Sequence, residues 1–424
     1  LTNLTGSQDV FDLKVLGSVE FDYVVDPSPP DINFTDPTPA NATTTSNTSV
    51  LINVSIITGT SKLNKTIWNW NGTNYTIYNE SLVLMFNFDN ISDLGEGVST
   101  NTTVDLSNYG NNGTCNGMAV IGCNYTAGKY GNALSFDGVN DYVNVSGNNG
   151  LKFTTNNFSV SAWVNFKRTG SNQVIVGKAD DGGLVSRWVL DINDNDRPSF
   201  VIQDSALNTI TTTALTNVSG NWYHILVSVN NDGNNQTIYV NGIAEASSDI
   251  SGIESIDNEV DFRVGAFSNN VNFFNGSIDE VRIFNRTLSS AEVYQLYASN
   301  LYRFNQTQWY LLVNQSKDTS TGLSNGAYTY LASVTDNSNN QNQTRTNQIT
   351  INAVVPGLNI TNPAVNNTNT TDTGLDINFT VSGTLSQCWY SNDTYSINRS
   401  TPCGTNLTNI TWSDGLHNIT IYVN

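Results

Sequence analysis

Acids spaced two apart along a strand project to one face, because successive side chains of a strand alternate sides. Glu259-Val-Asp261-Phe-Arg263 approaches such a row. Retaining sugar hydrolysis needs two carboxyl groups about 5 Å apart, flanking the bond to be cut. The third position here is Arg263, not an acid, so the row predicts a charged outer strand face and not a hydrolytic one. Only two histidines occur, His224 and His417, each in a strand-like run, which argues against imidazole chemistry. No Gly-x-Ser-x-Gly, His-Glu-x-x-His, phosphate loop or dinucleotide fingerprint interrupts the chain. The expectation is a protein that is not an enzyme.

Binding chemistry has more candidates. Trp188, Trp222, Tyr223, Phe273 and Phe274 could offer flat ring faces to a sugar. Trp163 and Trp222 sit in alternating apolar runs that read as core, so Phe273-Phe274, in an Asn-rich stretch, is the expected ligand contact. Four cysteines fall into two local pairs, Cys115 with Cys123 and Cys388 with Cys403, without the C-x-x-C spacing of zinc or dithiol redox sites. Two short-loop disulfides and an oxidising compartment are expected.

About thirty Asn-x-Ser/Thr acceptors recur along the chain, among them Asn33, Asn41, Asn53, Asn64, Asn74, Asn112, Asn144, Asn217, Asn235, Asn275, Asn285, Asn378, Asn392 and Asn418. They predict N-linked glycans on an extracellular, cell-surface protein. The 424 residues carry 17 Lys+Arg against 36 Asp+Glu, a net charge of −19, which argues against a nucleic-acid partner. No run approaches the eighteen or so apolar residues of a membrane helix. A chain opening at Leu1 reads as a processed product or a piece of something longer.

These residues need a frame, and the hydrophobic period is two nearly throughout. Phe158–Phe166 (FSVSAWVNF), Trp222–Val229 (WYHILVSV) and Tyr328–Val334 (YTYLASV) are β-branched and aromatic runs between Asn, Gly and Asp turns, so the fold class is all-β. One helix is expected, over Leu288–Ser299, where Ser289 and Glu292 make a capping box. Two sequence echoes set the domain plan: Pro30–Pro37 recurs as Gly357–Pro363, and Gly326–Asp336 recurs as Gly415–Asn424. Nearly three hundred residues separate the two motifs in the first copy and about sixty in the second, which implies an insertion. The expected plan is a closing strand of a preceding module in 1–26, a discontinuous sandwich from 27–80 and 301–353, an inserted domain over 81–300, and a second sandwich over 354–424 that lacks its last strand.

The insert resembles the laminin-G-like, concanavalin-A-like jelly-roll family. The resemblance rests on Leu82–Asp89, Asp105–Thr114, Gly128–Val143, Phe158–Phe166, Asn221–His224, Tyr239–Gly242 and Gly276–Ser289, in that order. The flanking modules resemble immunoglobulin-like repeats of archaeal cell-surface proteins. The first resemblance implies one structural calcium ion, with Asp105, Asp279 and Asp137 as the positions in the matching motifs, since a hard cation takes six to eight oxygens. The resulting expectation is a glycosylated subunit of a surface layer, stalk or filament, its partners being copies of itself joined by strand complementation. The other reading is an adhesin or lectin-type module that binds glycans or surface proteins.

Overall fold

The computed structural model describes residues 28–353 apart from 60, 98, 119–121, 148, 149 and 180–185, and beyond them 357–362, 374, 376–382, 387–392, 399–408 and 410–423. The strand expected at Val19–Val25 lies outside the described residues. Strands dominate, and the α-helix is Ser290–Ala298. It starts two residues later than the sequence predicts because Ser289 is extended (φ −69°, ψ 156°) and serves as the N-cap, in a capping box with Glu292.

Two compact units are present. The first holds the described residues of 1–43, 49–323 and 327–350, and the second those of 44–48, 324–326 and 351–424. Within the first, residues 82–298 build two large sheets. One runs Ile243–Asp249, Asn235–Val240, Trp222–Asn230, Phe158–Phe166, Asn275–Phe284, Asn132–Asp137, Tyr125–Ala127, with Leu82–Phe86 also paired to Asn275–Phe284. The other runs Thr209–Thr213, Pro198–Gln203, Arg187–Ile192, Gln173–Lys178, Phe262–Val264, Tyr142–Val145, Gly113–Asn116, Thr102–Thr103. Alternation decides which side chains meet between them: Phe158, Val160, Ala162, Val164 and Phe166 face Trp188, Leu190, Ile192, Phe200 and Ile202 in one core. Each large apolar side chain buried there is worth roughly 1.5–3 kcal/mol.

Strands on both sides of this segment join a smaller pair of sheets. Asp31–Thr35, Val50–Ile57, Gln308–Gln315 and Ser299–Arg303 form one; Asn347–Ile351, Gly326–Asp336, Leu63–Trp70 and Thr73–Tyr78 lie in the other. Registers such as Val54 with Leu311 and Trp68 with Ala332 close ladders between residues more than 250 positions apart. In the second unit, Gly357–Asn362 pairs with Asn378–Ser382, and Cys388–Asn392 pairs with Arg399–Thr401 and Ile419–Val423. Its core is Ile377, Phe379, Leu407 and Ile421. Gly326–Asp336 is flanked by Asn347–Ile351, whereas among the described residues Ile419–Val423 pairs with Cys388–Asn392 alone.

Candidate functional site

At one end of the large sandwich three chain segments form a cleft of about 540 Å³ lined by Arg168, Asn193, Asn195, Asp196, Arg197, Thr213 and Asn217. Strand register creates it. The hairpin after Arg187–Ile192 turns through Asn193-Asp-Asn-Asp-Arg197, where the Asn193 side-chain oxygen accepts from the backbone N–H of Asn195 (3.0 Å) and Arg197 (3.1 Å). Asp196 sits at φ 60° in that turn, a left-handed conformation that Asp tolerates. Val218 N–H donates to the Asp196 carbonyl (2.8 Å), which draws the 213–218 segment against the hairpin. Arg168, from the loop before Gln173–Lys178, pairs with Asp196 through its Nε at 3.1 Å. Arg197 Nε donates to the Asn217 side-chain oxygen at 2.9 Å.

Every lining side chain is polar, so the cleft holds amide, hydroxyl, carboxylate and guanidinium groups at the solvent boundary. Behind Thr213 the register runs to Ser199 and then to Asp191. Asp191 is buried and takes the Ser199 hydroxyl hydrogen bond; desolvation pushes its carboxyl up to about 7, against the Ser199 bond and the Arg187 charge. This arrangement can hold a polar ligand, with the Ser199–Asp191 pair buried behind it.

The expected calcium ligands are not brought together. Asp105 accepts from the backbone N–H of Met85 (2.9 Å) and Ser107 (2.9 Å) on one oxygen, and from the Ser107 hydroxyl (2.7 Å) and Asn111 N–H (2.8 Å) on the other. Asp279 accepts from Lys129 N–H (2.9 Å), Tyr130 N–H (3.2 Å) and Glu280 N–H (2.8 Å). Asp137 caps its own turn through Val139 and Asn140 N–H. Carboxylates already facing several N–H donors do not fit a cation, and among the described residues no three His, Cys, Asp or Glu side chains could hold one. The residues present therefore do not fit the ion that the resemblance implies.

The ring expectation is also corrected. Phe274 is fully buried, edge-on to Phe136 (6.1 Å) and near Phe166 (6.2 Å), because its N–H donates to the Gly265 carbonyl and draws it inward. Phe273 is half-buried, and Trp188 lies in the core. Glu259 is exposed and pairs with Lys152 at 2.5 Å, while Asp261 accepts from Asn144 at 2.8 Å and Arg263 lies over the Tyr142 ring. Both disulfides form, Cys115–Cys123 and Cys388–Cys403. Among the glycan acceptors Asn33, Asn41, Asn74, Asn112, Asn217, Asn285 and Asn418 are exposed, and Asn53, Asn64, Asn144, Asn235, Asn275 and Asn378 are half-buried. Asn392 ends a strand, and its side chain lies outside the described residues.

A second polar constellation lies on the outer face of the Phe158–Phe166 sheet. A bulge between Ser161 and Trp163 sets consecutive acids Asp279 and Glu280 there, with Glu280 at φ 50°. Glu280 pairs with Arg282 at 2.8 Å, and Arg282 also donates to the Asn300 side chain (2.8 Å) and the Leu301 carbonyl (3.3 Å) of the smaller sandwich. Burial pushes Glu280 up to about 8 despite Arg282, and holds His224, beneath Trp163, down at about 3. Arg282 and Glu280 thereby form a seam between the two sandwiches.

Residues 137–294 match the Laminin_G_3 family, described as the Concanavalin A-like lectin/glucanases superfamily, and the cleft falls within them. This part of the chain is a concanavalin A-like domain. Among solved structures, the binding domain of Paraclostridial Mosquitocidal Protein 1 is similar at 21% identity and TM-score 0.41, over 53% of this chain and 54% of that one, so the likeness spans about half of each. Domain 4 of AbnA, a GH43 extracellular arabinanase from Geobacillus stearothermophilus, is similar at 23% identity and TM-score 0.39, over 50% of this chain and 96% of that one. The Ruminococcus gnavus IT-sialidase CBM40 is similar at 16% identity and TM-score 0.33, over 38% of this chain and 92% of that one. At these scores none of the three carries a ligand over to this chain. A comparison with curated protein sequences finds no match.

Proposed function

We propose that this chain is an extracellular, non-enzymatic binding protein whose jelly roll captures a polar ligand, a saccharide, in the cleft between Arg168, Asn193–Arg197, Thr213 and Asn217. One observation carries the reading: a concave site with an entirely polar lining, built by the loops of a concanavalin A-like domain. A saccharide presents hydroxyls that both donate and accept, and the amides, carboxylate and guanidiniums of this cleft supply the matching partners in a small volume. In this reading the immunoglobulin-like sandwich of 27–80 and 301–353 is the mount, 354–424 is a further sandwich, and exposed acceptor asparagines other than Asn217, whose amide lines the cleft, carry N-linked glycans. Two disulfides suit an oxidising exterior. The surface-layer or filament subunit expected from sequence has less support, since the cleft gives the jelly roll a task that a spacer does not need.

The test is a glycan array probed with the full chain and with an Asn195→Ala/Thr213→Val double variant. Binding by the unaltered chain, lost in the variant, is expected. Failure of every saccharide to bind, together with concentration-dependent polymerisation of the ligand-free chain, would return the structural-subunit reading to first place.

A further inference from the structure

Charge in this chain is scarce and mostly negative, with 17 cations against 36 acids among 424 residues. Two of those cations, Arg168 and Arg197, line one cleft in which Asp196 is the lining acid and Asp194 lies in the same turn, so guanidiniums gather there on a molecule of charge −19. Both guanidiniums are anchored in the same way. Arg168 meets Asp196 through Nε, and Arg197 meets the neutral Asn217 amide through Nε. No hydrogen bond to a described residue engages the terminal Nη groups of either. A guanidinium held at Nε presents its Nη donors as a planar fork, the geometry that takes a carboxylate or sulfate in two parallel hydrogen bonds. Asp196 offsets Arg168, whereas Arg197 has only a neutral partner.

We propose that the ligand of this cleft is an acidic saccharide, held by an oxyanion on the Arg197 fork with Arg168 beside it. The proposal rests on the saccharide reading above and sharpens it to a substrate class. The oxyanion is a uronate or sialate carboxylate or a sulfate ester; all share the same recognition chemistry. Long-range attraction does not bring such a ligand in, because the net field of the chain repels anions and is screened beyond about 8 Å at physiological salt. Selection is made at contact, by the fork. Neutral saccharides leave that fork without an acceptor, and a hydrogen bond to a charged group is worth roughly 1.5–3 kcal/mol.

The experiment titrates the full chain with four probes: oligogalacturonate, sialyllactose, a chondroitin sulfate oligosaccharide, and neutral maltohexaose. Variants are Arg197→Gln, Arg168→Gln, and Lys152→Gln as a control cation away from the cleft. The expected result is binding of at least one acidic probe, weakened about tenfold or more in Arg197→Gln, less in Arg168→Gln, unchanged in Lys152→Gln, and falling with added salt. The carboxylate and sulfate arms tell which oxyanion is the natural one. Equal binding of maltohexaose, unaffected by Arg197→Gln but lost in the Asn195→Ala/Thr213→Val variant, would overturn the acidic class and leave the saccharide reading intact. No binding of any probe would overturn both. Thermal melting of Arg197→Gln separates lost affinity from lost fold.

Discussion

Arginine plays opposite parts at two places on the jelly roll. Arg282, at the seam with the smaller sandwich, is 4% exposed and ties Glu280, Asn300 and the Leu301 carbonyl together. Arg168 and Arg197, at the cleft, are exposed and each is fixed by one bond at Nε. A buried guanidinium depends on partners within the protein, since an uncompensated interior charge costs several kcal/mol. An exposed one can be held in place and still keep donors for a ligand. A buried arginine bonded on several sides therefore belongs to the structure of the seam, and an exposed one fixed by a single bond is the kind the proposed site uses.

The contrast can be broken first at the seam. Arg282→Met leaves Glu280, held mainly protonated at pH 7 by burial, and the Asn300 and Leu301 acceptors without their donor, and urea unfolding at pH 7 should show a loss of about 1–3 kcal/mol. A loss below 1 kcal/mol would mean that the seam does not depend on this pair. Adding Glu280→Gln to that variant should recover stability at pH 7, because the unfolded chain then no longer gains by ionising a carboxyl that the folded state holds protonated.

Asp191→Asn probes the buried acid behind the cleft. The native carboxyl titrates near 7 and the unfolded one near 3.9, so the folded state holds the extra proton between those values, and stability falls as pH rises from about 4 to about 7. His224 has the opposite sign: with its native value near 3, stability falls as pH drops below about 6.5. Comparing Asp191→Asn with the unaltered chain cancels the histidine. The difference should be near zero at pH 4 and favour the variant by on the order of 2–4 kcal/mol at pH 8. A constant difference across that range would remove the assigned titration.

Removing the Cys115–Cys123 bridge by a double serine substitution should cost about 2–3 kcal/mol, as expected for a short closed loop, measured by denaturation with and without reductant. Arg197→Gln should change stability by only about 0.5 kcal/mol or less, since it is an exposed site away from any core. A large loss there would make Arg197 a second structural arginine and erase the distinction.

Local pattern announces much of the frame. FSVSAWVNF alternates so cleanly that Phe158–Phe166 and its inward side are readable, and Ser289 with Glu292 places the helix start to within two residues. Phe274 misleads because Asn-rich neighbours suggest exposure, whereas a backbone bond to Gly265 sets its direction. Asp105, Asp137 and Asp279 mislead differently: Asp105 and Asp137 bind N–H groups of their own loops, and Asp279 those of the 129–130 turn, demands invisible in spacing alone. The cleft is the least legible. Arg168, the 193–197 turn, Thr213 and Asn217 meet only through the register of four neighbouring antiparallel strands, and the dense polar turn Asn193-Asp-Asn-Asp-Arg197 is the one local hint.

The chain leaves the smaller sandwich after Tyr78 and re-enters it at Ser299, and ladders formed before the departure and after the return bind each other: Val50–Ile57 with Gln308–Gln315, and Leu63–Trp70 with Gly326–Asp336. Tension applied across the smaller sandwich is shunted through those ladders rather than along the 220-odd residues between them. The jelly roll is thus a side branch off the mechanical line, attached at Tyr78 and Ser299.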